Sequence, residues 1–188
     1  MTVTRLEISL PEWVDAQVDW DATYENDEAQ MELAVRLARE NVLRDLGGPF
    51  GAAIFDAAGK LVSVGLNRVF PLHNSVLHAE MVAFMLAQKR VGSFSLAGPG
   101  VSEHTLVTSC EPCAMCLGAT LWSGVRHVIS GATRDDAMAL EFEEGPVFPE
   151  SYRYLEERGI DFVHGVLRRE ARAVLKLYME KGGPIYNG

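Results

Sequence analysis

"HTLVTSCEPCAMCLGATLW", residues 104–122, changes character at its middle. His104–Ser109 is a short run with the β-branched and apolar content of a buried strand. The second half has the small and apolar residues of a helix, and Pro112, which has no use for an N–H donor, suits its first position. A strand that passes straight into a helix is the unit from which layered α/β domains are built. The junction also holds all three cysteines of the chain, Cys110, Cys113 and Cys116.

The flanking sequence continues the alternation. From Asp27 the apolar residues Met31, Ala34, Val35, Ala38 and Val42 keep helical spacing, with Gln30 placed as in a capping box. "LGGPFG" ends that helix, and residues 51–67 read as two strands around the turn "DAAGK". "HAEMVAFMLAQKR", residues 78–90, is a second helix with His78 and Glu80 in its opening turn. After residue 122 come a strand (126–131), a short acidic helix and loop (133–146) and a helix around 150–159. A strand (160–167) and a basic C-terminal helix complete the order. Five strands alternating with helices predict an α/β fold, a mixed five-stranded sheet covered by helices on both faces.

The 188 residues suit a single domain, residues 1–188, ending in a tail at 182–188 where Gly182, Gly183 and Pro184 cannot extend the helix. Acidic residues and Pro11 interrupt the N-terminal stretch before any secretion-type apolar run develops, and no segment reaches the roughly 18 apolar residues of a membrane span. A cytoplasmic location is therefore expected. There thiols stay reduced, and three cysteines this close could not form a disulfide framework. With 17 Lys and Arg against 26 Asp and Glu, the net charge of −9 argues against a nucleic-acid partner. Arg168, Arg169, Arg172 and Lys176 form the one basic stripe, read as a solvated helix face.

Taken alone, the C-x-x-C of Cys113 and Cys116 fits a metal site, a thioredoxin-like redox pair or two buried small hydrophobes. His78-Ala79-Glu80 upstream changes that balance. H-x-E followed by P-C-x-x-C is the signature of zinc deaminases. Three protein ligands leave the fourth position of tetrahedral zinc to a water, as in a catalytic site. Zinc lowers the pKa of such a water toward about 7, giving hydroxide near neutral pH. His78, Cys113 and Cys116 are the expected ligands of one Zn2+ per chain, Glu80 the expected proton carrier, and Cys110 a buried bystander.

With these motifs, the chain resembles the cytidine deaminase-like superfamily, and more closely its bacterial guanine deaminase branch. "GGPFGAAIF" (47–55), Asn67, "HAE", "TSCEPCAMCLGA" (108–119), "LWSGVR" (121–126) and "FEEGP" (142–146) occur in the expected order. The resemblance implies a three-layer α-β-α fold, a homodimer, and hydrolysis of a nucleobase amine, with guanine the expected base. It implies Asn67 and Ala79 as substrate contacts and Phe50 and Trp122 as walls around a flat ring. Glu144 would be the carboxylate that reads guanine's N–H donors and helps the amine leave. It also implies that the tail brings Tyr186 and Asn187 over a site, in its own subunit or its partner's. Glu141 stands where the branch usually has a small residue, which leaves room for cytosine, isoguanine or a triazine such as ammeline. A tRNA adenosine deaminase and a non-catalytic zinc-binding module are the alternatives.

Overall fold

The computed structural model describes residues 4–98 and 100–187; Gly188, the end of the expected tail, and the first three residues lie outside them. Twelve elements follow one another: α1 (Trp13–Gln17), α2 (Asp27–Leu43), β1 (Gly51–Asp56), β2 (Leu61–Leu66), α3 (Ala79–Val91), β3 (His104–Cys110), α4 (Ala114–Ser123), β4 (His127–Ala132), α5 (Arg134–Met138), α6 (Pro149–Glu156), β5 (Asp161–Val163) and α7 (Arg168–Glu180). The strands form one five-stranded sheet in the order β2-β1-β3-β4-β5. The β1–β2 and β1–β3 pairs are antiparallel, and β3–β4 and β4–β5 are parallel. This is the expected mixed sheet.

Period-two alternation divides the core between the two faces of the sheet. Ile54, Leu106 and Val128 are in register across β1, β3 and β4 and pack with Ala83 and Ala87 of α3, Leu117 of α4 and Leu155 of α6. Their neighbours Ala53, Val107 and Ile129 face the other way, onto Met31, Ala34 and Leu37 of α2. Each large side chain so buried contributes about 1.5–3 kcal/mol, which is why the apolar periodicity decides the layers. Helix α7 completes the α2 side through Ala171, Val174 and Leu175.

Several boundaries differ from the sequence reading. Asn26 caps α2, its side chain accepting from the Ala29 amide at 2.9 Å, so the cap lies one residue before Asp27. Helix α4 starts at Ala114, two residues after Pro112, because Cys113 holds the extended N-cap conformation at φ −66° and ψ 174°. Strand β5 stops at Val163: His164 turns to Glu111, and Gly165 takes a left-handed φ of +76°. Short α1, absent from the sequence reading, carries a single buried residue, Val14. The basic stripe is largely committed: Arg168 donates to the Asp136 carboxylate at 2.7 Å and 3.1 Å, Arg172 approaches it at 3.4 Å, and Arg169 pairs with Glu170.

The topology gathers one rim. The ends of β2, β3 and β4 and the beginning of β1 lie together, since Gly51 pairs with Leu66, Ala52 with Thr108 and Cys110 with Ala132. In open α/β sheets the carboxyl edge of the parallel strands is where ligands bind. Phe50, Asn67 and the "CEPC" turn all leave the sheet there.

Candidate active site

Two helices begin at this rim, and a residue of metal-ligating type stands at the N-cap position of each. His78 is the N-cap of α3 and Cys113 the N-cap of α4; Cys116 follows one turn into α4. Gly65 of β2 permits the approach of α3, because a Cβ there would collide with the Ala79 carbonyl oxygen. The His78 Nδ1 atom lies 3.4 Å from the Cys113 sulfur and 3.6 Å from that of Cys116. All three donor atoms fall within 4.8 Å of one another. With Zn–S near 2.3 Å and Zn–N near 2.0–2.1 Å, the tetrahedral S···N edge is about 3.5 Å, so these residues fit zinc. Both helix N-termini direct positive dipole ends toward the cluster, which favours thiolate and carboxylate there.

The two thiols share one hydrogen bond, and their ionisation splits accordingly. Hydrogen bonds from Cys116 and then His78 hold the Cys113 thiol down at about 4. The shared bond with Cys113, followed by burial, pushes the Cys116 thiol well up. Glu80, in the first turn of α3, is buried, and its carboxyl is raised chiefly by that burial and then by Cys113. Cys110 stands apart, its sulfur 3.7 Å from the Thr133 carbonyl, and burial raises its thiol.

A cavity of about 480 Å³ opens onto the cluster. Phe50, Asn67, His78, Glu80, Cys113, Glu144, Tyr186 and Asn187 all line it. The Asn67 Oδ1 accepts from the Val69 amide at 3.3 Å, whereas its buried Nδ2 has no partner among the described residues and is free for a ligand acceptor. Glu144 is buried too; desolvation first, then Cys113 and Glu80, push its carboxyl up to about 8. Its carbonyl accepts from the Ala114 amide at 2.9 Å. Phe142 builds the wall behind it, edge-on to Phe50 at 5.1 Å and to Tyr186 at 5.5 Å between ring centres.

Two expected contacts are placed elsewhere. Trp122 is not a cavity wall: near the far end of α4, it is 78% exposed and borders a surface groove with Leu121, Arg126 and Arg158. The helix carries it away from Cys113, nine residues and some two and a half turns back. Ala79 is buried between the lining residues His78 and Glu80 but its side chain does not reach the cavity. Glu141 takes a left-handed φ of +69° and faces solvent, so the residue thought to reshape the pocket lies outside its lining. Conversely, Ser75, Met115 and Glu143 line the cavity without having been singled out. Met115 had a readable signal, standing between the two cysteines of the C-x-x-C.

Three zinc-competent ligands, a buried carboxylate beside them and a cavity with a second buried carboxylate define a hydrolytic zinc-dependent deaminase site. Residues 24–132 match the model of the cytidine and deoxycytidylate deaminase zinc-binding region, and the chain belongs to that family. It is 37% identical to a guanine deaminase of Bacillus subtilis, over 73% of this chain and 84% of that protein. The solved structure of a guanine deaminase from Nitrosomonas europaea superposes with a TM-score of 0.89 at 39% identity, covering 95% of this chain and 98% of that one. A tRNA-specific adenosine deaminase of Haemophilus influenzae is 28% identical, over 84% of this chain and 85% of the relative.

Proposed function

We propose that the chain deaminates a free nucleobase, guanine, to xanthine and ammonia. The observation that carries this reading is that Glu80 and Glu144 line one cavity that opens onto the cluster of His78, Cys113 and Cys116. Zinc, held by those three residues with a water in its fourth position, would supply the Lewis acid that makes water nucleophilic near neutral pH. Glu80 would accept a proton as water attacks the amine-bearing carbon and deliver it to the adjacent ring nitrogen. Glu144 would accept hydrogen bonds from guanine's ring N–H and amine, and would relay the remaining proton of the added water to the leaving amine nitrogen as the C–N bond breaks and the oxygen becomes the xanthine carbonyl, releasing ammonia. A carboxyl held near 8 suits it to give as well as take a proton. The unpaired Nδ2 of Asn67 would donate to a ring acceptor, and Phe50 would pack against the ring.

The tail, residues 182–188, would act as a lid, with Tyr186 and Asn187 closing the cavity and excluding bulk water. A tRNA substrate fits less well. Tyr186 and Asn187 of the tail line the cavity, and the basic stripe is engaged with Asp136 and Glu170. No helix among the described residues is long and apolar enough to cross a membrane. We retain the homodimer in this proposal, since a second copy would give the exposed Trp122 a partner; light scattering tests it. Ammonia release from guanine, cytosine, isoguanine, ammeline and a tRNA anticodon stem-loop tests the function. Turnover of the stem-loop alone would overturn it.

A further inference from the structure

Asn41 is a polar residue in the wholly apolar inner face of α2, beside Leu37, Ala38 and Val42, and it is 0% exposed. A buried amide is costly unless paired. Its Nδ2 donates to two carbonyls, that of Gly48 at 2.9 Å and that of Asn67 at 3.2 Å. Its Oδ1 has no partner among the described residues. The opposite amide orientation would set Oδ1 against two acceptors, so the two carbonyls determine which way the group points. All the pairing of this side chain is thus spent on two backbone oxygens at the cavity rim.

Those two oxygens lie on different segments. Gly48 precedes Phe50 in the loop after α2, and Asn67 follows β2. The Asn67 amide donates back to the Phe50 carbonyl at 3.1 Å. Gly47 completes the arrangement: with φ at +155°, any Cβ there would collide with the Asn67 carbonyl oxygen and crowd the Asn41 amide. The segments bearing the ring-facing Phe50 and the donor Asn67 are therefore joined from behind by one side chain that does not line the cavity.

We propose that Asn41 is a positioning residue for base recognition, a strut that sets the Asn67 amide and the Phe50 ring in register through the Gly48 and Asn67 carbonyls. This rests on the reading of Asn67 and Phe50 as base contacts. Asn41→Leu keeps the branched shape, with somewhat larger methyl ends, and removes both donors. It should keep full zinc content yet lower kcat/KM by about tenfold or more, mostly through KM, as expected for a misplaced contact. The base used is whichever one the wild-type chain turns over fastest, so inactivity on guanine counts against the functional reading and not against the strut.

In an Asn67→Ala background the same substitution should cost several-fold less than in the wild type, because the part of its effect that passes through the Asn67 side chain is gone and only the part that passes through Phe50 remains. Equal losses in both backgrounds, or none in either, overturn the proposal. A readout independent of turnover is amide exchange by NMR. The Asn67 amide should exchange at least about tenfold faster in Asn41→Leu while the β3 and β4 amides stay protected. An unchanged Asn67 amide overturns the proposal as well. Asn41→Asp, nearly isosteric but a poor donor, replaces Asn41→Leu in the same cycle should that variant not fold. Failure of both to fold assigns Asn41 to the core and ends the case for a strut.

Discussion

The Glu144 carbonyl accepts a hydrogen bond from the Ala114 amide at 2.9 Å, which fastens the second carboxylate to the helix turn that begins at Cys113. The loop after α5 and the metal-binding turn therefore form one unit. Exchanging the carboxylate for an amide leaves that backbone bond in place and alters only what faces the cavity. Glu144→Gln offers one acceptor and adds a donor that opposes a ring N–H. We expect kcat/KM on guanine to fall by about a hundredfold or more, and far less on a base without the matching donors. Equal losses across a base panel, measured by ammonia release, would assign Glu144 to the fold.

Zinc should co-purify at about one per chain. Cys113→Ala and Cys116→Ala should lose it, because two remaining protein ligands hold the ion poorly, while Cys110→Ser, whose sulfur is directed at Thr133, should keep it. Metal analysis of the purified variants checks this. Metal loss in Cys110→Ser as complete as in Cys113→Ala would reassign the ligands.

Glu80 is buried and its carboxyl raised by desolvation, so its charge is costly to the fold. Glu80→Gln should retain zinc, melt at or above the wild-type temperature, and lose about 10²–10⁴-fold in kcat. Near-normal turnover would remove Glu80 from the proton path.

The zinc triad was legible because its spacing is chemical: H-x-E and C-x-x-C each open a helix, and two helix starts at one sheet edge must converge. The five strands were legible for a related reason, since each alternates or runs apolar between turn residues. Trp122 was misplaced because adjacency in the motif "LWSGVR" says nothing of the helical rotation that carries it to solvent. Asn41 carried no signal at all: an asparagine in a helix reads as a surface residue until the two carbonyls it serves, 7 and 26 residues away, are seen. Composition does not separate the acidic residues of the loop after α5: Glu144 is buried and Glu141 exposed, a distinction set by the left-handed turn at Glu141.

Asp136 gives the fold an acid-sensitive point. It closes a capping box with Thr133 and accepts from Arg168, and hydrogen bonding by Arg168 holds its carboxyl down at about 2, below the usual aspartate range. The folded value is depressed, so its contribution is complete above about 4 and disappears as pH falls toward about 2. Asp136→Asn should lower stability at pH 7 by about 1–2 kcal/mol, discounted because both guanidiniums are half exposed. The difference from wild type should shrink between pH 4 and pH 2 in urea titrations. A difference that stays constant through that window would show that the ion pairs add nothing.

The tail is fastened at three points in its own chain. Tyr178 donates to the Pro184 carbonyl at 2.7 Å, and Tyr186 packs edge-on to Phe142. The Asn187 side chain accepts from the Glu143 amide at 2.8 Å and donates to the Glu141 carbonyl at 2.7 Å. Gly48 leaves the space for the Tyr186 hydroxyl, where any Cβ would collide. The tail thus grips both the loop before β1 and the loop bearing Glu144, and Ile185 and Tyr186 pack against the edge of the core formed by α2 and α7. Deleting residues 182–188 should leave zinc content unchanged and shift the melting temperature by only a few degrees. Turnover on small bases should fall about tenfold or more, since the Glu144 loop and the closure of the cavity are lost together. Because these contacts are made within one chain, mixing the truncated protein with Glu80→Ala should not restore activity. Rescue in such hybrids would show the tail crossing to the partner subunit, and unchanged kinetics on truncation would end the case for a lid.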